Sequence, residues 1–154
     1  EEQYKSRFEE DESVGWDAID EVLDKLYADQ EPRHYGTIIK YMFGGEDPLD
    51  GISIYDNHEQ IFHRHIVSYG MSELYYSPES AENEFSGWGF EFTFRIVPFE
   101  GDKDADNAKH EPYWAMNVMQ NLARYVFDSK KWFEAYHFIP ANGPIRLDTD
   151  TKLE

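Results

Sequence analysis

The segment from Trp88 to Ile96 alternates between large apolar and polar side chains almost without interruption. Successive side chains of a strand point to opposite faces of a sheet, so this alternation predicts a half-buried strand over about 88–97 with its aromatic rings on the core side. Glu91 and Arg95 would share the outer face of this strand, where we expect them to form an ion pair.

Two stretches of the chain have the period of a helix. Apolar residues spaced three and four apart predict a helix over about 16–28, and Pro112, which suits a first helical turn, opens a second one over about 112–127. A short helix is predicted over 130–134.

Runs rich in β-branched and aromatic residues predict strands at about 34–43, 52–55, 61–69 and 136–139. The order of these elements predicts an α/β fold of the α+β type, in which helices flank a central, mostly antiparallel mixed sheet.

The chain of 154 residues is long enough for one domain with a buried core. We expect an acidic lead-in over 1–14, either disordered or loosely helical, and one folded domain over 15–147. A polar tail follows over 148–154. The tail ends in Leu-Glu, a pair that expression vectors often leave, so we expect it to be vector or truncation sequence.

The chain is strongly acidic, with 32 acidic residues against 14 basic ones and a formal net charge of −18. Nucleic acids and anionic membranes are polyanions, so this charge argues against both as partners. A basic protein partner fits, because opposite charges speed association.

The absence of cysteine excludes disulfides, thiolate catalysis and cysteine-ligated metal centres. No cofactor is expected, and since no apolar run reaches membrane-spanning length we expect a cytoplasmic protein.

Histidines are the residues most suited to metal chemistry in this chain. His63 and His65 would share one face of the strand predicted over 61–69, and His58 lies in the turn before it. Together they could hold zinc or another divalent ion, which would make the protein a metal-dependent hydrolase. A metal site needs a rigidly held third ligand, and here that ligand would come from a turn. The alternative is that the rings are packed and hydrogen-bonded, and no metal is expected.

Several sequence blocks together resemble the suppressor-of-fused family. In that family one block reads K-Y-x-x-G-G-x-D-P-L-D-x-x-S-x-Y, and another reads S-G-x-G-F-E-L-T-F-R. The blocks that carry the resemblance are Tyr41 to Tyr55, His63 to Tyr75, Ser86 to Arg95 (with Phe92 where leucine is usual), Met119 to Phe127 and Asn142 to Ile145. Their shared order over about 15–147 makes the resemblance specific.

The resemblance implies a non-enzymatic α/β domain that binds other proteins. The family's animal member is an inhibitor in Hedgehog signalling that binds a transcription factor, and bacterial members look like immunity or antitoxin proteins that neutralise a toxin by binding it. A bacterial protein of the second kind, with a basic toxin or an extended peptide segment as its partner, is therefore the preferred hypothesis. The metal-dependent hydrolase remains the alternative.

The resemblance also indicates where a partner would bind. The animal member grips an extended peptide, partly by strand addition, and one of its contacting tyrosines maps onto Tyr75. Glu73 and Asp50 are expected nearby, although Asp50 is also suited to bracing the turn over 44–51. A contacting aspartate of the animal member lies in the loop that corresponds to 76–86. The acidic candidates in that loop are Glu82 and Glu84.

Overall fold

The computed structural model describes residues 1–99, 111–140, 143–147 and 149–150. Its centre is a four-stranded sheet in the order β1-β2-β3-β4. The strands are Arg33–Gly36 (β1), Gly51–Asn57 (β2), His63–Tyr69 (β3) and Thr93–Ile96 (β4). Every pair is antiparallel, and the order places each strand beside its neighbour in sequence. The predicted α/β class, with a mostly antiparallel sheet and flanking helices, is confirmed.

Three α-helices accompany the sheet within the described residues. They are Glu2–Arg7 (α1), Val14–Leu26 (α2) and Tyr113–Ser129 (α3). Helix α1 forms inside the acidic lead-in. Helices α2 and α3 correspond to the two predicted from the helical period. None of the helices in the described ranges is long and apolar enough to cross a membrane.

The two faces of the sheet carry different cores because side chains alternate along β3. Ile66 joins a cluster of aliphatic residues with α3, including Met119. Val67 and Tyr69 join a second cluster with α2 that is richer in tyrosine. Tyr69 stacks on Trp16 of α2 with ring centroids 4.5 Å apart, so each helix covers its own face of the sheet.

The aromatic strand predicted over 88–97 is shorter in the structure, because β4 covers only Thr93–Ile96. Gly87 and Gly89 before it have φ of 55° and 81°, left-handed values that a strand cannot contain. The alternation still predicts burial correctly, since the aromatic residues from Trp88 to Phe94 pack against the α3 core. An alternating pattern therefore fixes which side chains face the core without requiring that the backbone pairs.

Three other element predictions differ from the structure, the first in its extent and the other two entirely. The strand predicted over 34–43 ends at Gly36, and Tyr41–Phe43 form a 3-10 helix instead. Lys130 has φ of 58° and ends α3, so no helix follows over 130–134. Residues 136–139 pair with no strand in the described part of the chain. Apolar and β-branched residues suggested the strand over 34–43, but a strand also needs a neighbouring strand to bond with.

Candidate functional site

An open groove of about 400 Å³ lies between three parts of the chain. One wall comes from the loop between β1 and β2, and a second comes from the segment after β3. The third consists of Trp88, which precedes β4, and Phe127, which belongs to α3. A second 3-10 helix, Pro78–Ser80, follows the segment after β3. The lining residues most relevant here are Tyr41, Met42, Asp50, Met71, Glu73, Leu74, Tyr75 and Glu79.

The segment after β3 is held in place by Glu91. One carboxylate oxygen, Oε1, accepts hydrogen bonds from the backbone N–H groups of Gly70, Met71 and Ser72 at 2.9–3.1 Å and from the Ser72 hydroxyl at 2.6 Å. The other oxygen accepts from the Ser68 hydroxyl at 2.6 Å. A turn leaves backbone donors without strand partners, and this carboxylate satisfies them. Glu91 therefore fixes the start of one groove wall.

The predicted ion pair between Glu91 and Arg95 is wrong. The Arg95 guanidinium donates instead to Nε2 of His63 at 2.6 Å. The physical reason is that Phe92 still lies beside Ser68. This places the Glu91 carboxylate at the end of β3, within reach of the Ser68 hydroxyl and of the N–H groups of the following turn.

Tyr75 is the centre of a small polar network in the groove. Its hydroxyl donates to Oδ2 of Asp50 at 2.5 Å and accepts from Nζ of Lys40 at 2.5 Å. The Lys40 ammonium also lies 4.0 Å from the centroid of the Tyr75 ring, a cation–π distance. Burial and the Asp50 carboxylate raise the pKa of Tyr75, so it keeps its proton at neutral pH. The network fixes the position of the Tyr75 ring at the groove.

Asp50 serves the groove with its side chain and the loop with its backbone. Its carboxylate accepts from Tyr75, whereas its carbonyl oxygen accepts from the Thr37 N–H at 3.0 Å. Its side chain makes no described hydrogen bond within the turn over 44–51 that it was suited to brace. Asp50 therefore lies beside Tyr75, as expected from the sequence.

Glu73 is a half-buried carboxylate in the same groove. Burial raises its pKa, and the charge of Glu79 adds to the effect. Among the described residues, no side chain or backbone group donates to the Glu73 carboxylate. The exposed Glu79 has Lys5 near enough to raise the pKa of that lysine, whereas the Glu73 carboxylate has no such partner among the described residues and is available to a cation from outside.

The structure does not bring Glu82 and Glu84 to the groove. Both side chains are exposed in the loop over 81–87, and neither lines the groove. Glu82 instead accepts from the N-terminal ammonium of Glu1 at 3.0 Å. Sequence reasoning missed Glu79, although it lies in the same loop, and the available signal was its position beside a proline that starts a helical turn.

The three candidate metal ligands are not gathered into one site. His65 is only 5% exposed, and its Nδ1 is 2.8 Å from the Tyr27 hydroxyl. Burial, with the nearby charges of Arg95 and His63, lowers the pKa of His65 to about 4. His58 is exposed in its turn. The described residues contain no group of three potential metal ligands, so no observation supports the hydrolase alternative.

Comparison with known sequences gives one family. The family model for "Suppressor of fused protein (SUFU)" matches residues 45–154. The Suppressor of fused homologs of Mus musculus and Homo sapiens are each 36% identical to this chain over 133 residues. Those alignments cover 79% of this chain and 26% of each relative. The chain therefore spans about a quarter of the length of these curated relatives.

Comparison with solved structures agrees with the sequence matches. A crystal structure of Drosophila Suppressor of Fused is similar with a TM-score of 0.73 and 30% identity, covering 85% of this chain and 33% of that chain. A chain of "the Sufu-Fu complex crystal structure" is similar with a TM-score of 0.69 and 30% identity, covering 78% of this chain and 55% of that chain. The similarity thus extends over most of the present fold.

Proposed function

The chain belongs to the suppressor of fused family, and we propose that it is a non-enzymatic protein–protein interaction domain whose groove around Tyr75 receives the partner. A relative of 30% identity is described in complex with a protein, Fu. That finding concerns the relative, and it supports a protein as the class of partner for this chain.

The observation that carries the proposal is the groove itself. Tyr75 is held in place by Asp50 and Lys40, and the Glu73 carboxylate in the same groove has no described partner. Tyrosine is common at the centres of interfaces, because its ring offers a large rigid surface and its hydroxyl a polar contact. A groove with an aromatic anchor and the unpaired Glu73 carboxylate suits an extended segment that carries basic side chains.

The partner that we propose is a basic protein, in the toxin-neutralising role that the resemblance implies for bacterial members of the family. The formal net charge of −18 would draw such a partner in and speed association. An immunity protein of this kind acts by binding over the active surface of the toxin. We propose the cytoplasm as its location.

Affinity capture from the native cell tests the proposal. The tagged protein is compared with Tyr75→Ala and with Tyr136→Ala, a control at a fully exposed tyrosine that does not line the groove. We expect one dominant basic protein with the wild type and the control, and at least about a tenfold weaker Kd with Tyr75→Ala. Binding should weaken as salt screens the charges.

A growth assay separates the toxin role from protein binding in general. The captured protein is expressed alone and together with the wild type or Tyr75→Ala. Growth arrest that only the wild type relieves supports the immunity role. A harmless partner would remove that role and leave the binding domain, whereas equal capture by Tyr75→Ala would remove the groove as the binding site.

A further inference from the structure

The loop between β1 and β2 exposes an unusual amount of apolar surface. Phe43 is 74% exposed and Met42 65%, and Ile38 and Ile39 are also exposed. Soluble proteins scatter single apolar residues over their surface, but a contiguous group usually marks an interaction site. We call these residues, Ile38, Ile39, Met42 and Phe43, the loop patch.

The loop patch stands on an ordered turn. The N–H groups of Phe43 and Gly45 both donate to the carbonyl of Lys40, at 2.9 Å and 3.1 Å. A Cβ at Gly45 would lie 2.1 Å from the carbonyl oxygen of Ile39, so this close turn requires glycine. The Tyr41 ring packs edge-on against Phe127 of α3 at 5.0 Å. The apolar side chains are thus presented to solvent by a fixed backbone.

The loop patch is continuous with the groove around Tyr75. Met42 belongs to the patch and also lines the groove, as does Tyr41 beside it. Lys40, from the same turn, reaches over the Tyr75 ring and bonds its hydroxyl. A segment that occupied the groove and left it on this side would pass over the patch.

The charges around the groove indicate what such a segment carries. The protein places its own cation, Lys40, against Tyr75. No lysine or arginine is among the described residues that line the groove, whereas Asp50, Glu73 and Glu79 do line it. A lysine or arginine of the partner would neutralise Glu73 and Glu79 and offset the cost of covering them.

We propose that the loop patch and the groove form one continuous surface, and that it takes an extended protein segment with apolar side chains for the patch and a basic side chain for Glu73 and Glu79. This inference rests on the proposed function and adds the class of partner segment and a second contact area. A second copy of the chain or a lipid surface would cover the same patch, and the experiment below distinguishes them.

The test is NMR mapping on the isotope-labelled protein with short synthetic peptides. The probe alternates valine and lysine, and its controls replace lysine by glutamate or valine by serine. We expect the valine–lysine peptide to shift amide signals of residues 38–43 and 73–79 together and saturably. Both controls should bind at least about tenfold more weakly, because each lacks one half of the recognition.

Variants assign the effect to the patch. Phe43→Ser should weaken the valine–lysine peptide about tenfold, while Phe138→Ser, at another exposed phenylalanine, should not change binding. Shifts confined to 73–79, or unaltered affinity in Phe43→Ser, would overturn the inference and leave the proposed function standing. Shifts in neither region would count against both.

The two other occupants have their own readouts. Sedimentation of the wild type at high concentration would show a dimer that Phe43→Ser abolishes if a second copy covers the patch. Flotation with phosphatidylcholine vesicles, lost in the same variant, would indicate a lipid surface. Either result would overturn the assignment to an extended partner segment, and a monomer that does not float supports it.

Discussion

Two glutamates at one end of the sheet have opposite surroundings. The carboxylate of Glu91 accepts from backbone and hydroxyl donors on both of its oxygens, whereas that of Glu73, at the other side of the same turn, accepts from no described residue. Nearly all polar groups that serve a fold are satisfied within it. The difference separates a carboxylate that builds the groove from one that the described part of the fold leaves without a hydrogen-bond donor.

Removal of Glu91 should have the largest effect. Glu91→Ala leaves the N–H groups of Gly70, Met71 and Ser72 without their acceptor, and we expect a loss of about 3–5 kcal/mol in the free energy of unfolding, measured in urea. Glu82→Ala, at an exposed acid, is the control and should change it by less than about 0.5 kcal/mol. Equal stability of both variants would contradict this prediction and show that the turn after β3 is stable without the Glu91 carboxylate.

Acid should destabilise the fold through a buried group rather than through the groove. The pKa of His65 is lowered from 6.5 to about 4, so the unfolded chain binds the proton more readily. Stability is fully present above about pH 6.5 and falls as the pH drops towards 4, by about 2–3 kcal/mol. The free energy of unfolding should depend less steeply on pH in this window in the His65→Gln variant. The exposed His58→Gln is the control, and a slope unchanged by His65→Gln would contradict the assignment.

The contact between α2 and the groove wall predicts a smaller effect. Gly15 donates to the carbonyl of Leu74 at 3.0 Å, and a Cβ there would lie 1.9 Å from the carbonyl oxygen of Glu73. We expect Gly15→Ala to lower the free energy of unfolding by about 1–2 kcal/mol, since alanine's helix propensity offsets part of the clash. Ala18→Ser on the same helix is the control and should leave the stability nearly unchanged. A Gly15→Ala variant that is more stable than the wild type would contradict the prediction and show that the segment at Glu73 and Leu74 can move without cost.

Neutralising Glu73 should have the smallest effect and the opposite sign. Burial raises its pKa, so its charge opposes folding at neutral pH, and the penalty disappears as the pH falls through the raised pKa. Glu73→Gln should therefore stabilise the fold, by roughly 0.5 kcal/mol or less because solvent screens the group. The gain should vanish in acid. A loss of stability would reveal a structural partner for Glu73.

Sequence patterns predicted the elements that have a strong period. The helix over 16–28 and the helix opened by Pro112 are both present. The pattern failed where apolar residues serve neither face of the sheet. Ile38 and Phe43 contributed to the apolar character of the strand predicted over 34–43, yet both are exposed in a loop. Apolar residues in this segment therefore lie on the surface and do not indicate a buried strand.

The candidate site was predicted in part. The resemblance pointed to Tyr75 and to the nearby Asp50 and Glu73, and the structure brings these three residues into one groove. It also pointed to Glu82, which lies elsewhere. A loop position cannot be assigned to a groove from sequence alone, because the path of the loop depends on contacts made outside it. Whether the groove residues bind a partner stays a prediction.

The sequence by itself determined the periods, the charge and the absence of cysteine, because these are properties of residues and their spacing. Only the tertiary structure decided the role of each charged group. Glu91 could have paired with Arg95, but a turn at the end of β3 offered it three backbone donors. Long-range geometry made that choice, since the energy of a carboxylate depends on which donors the fold places around it.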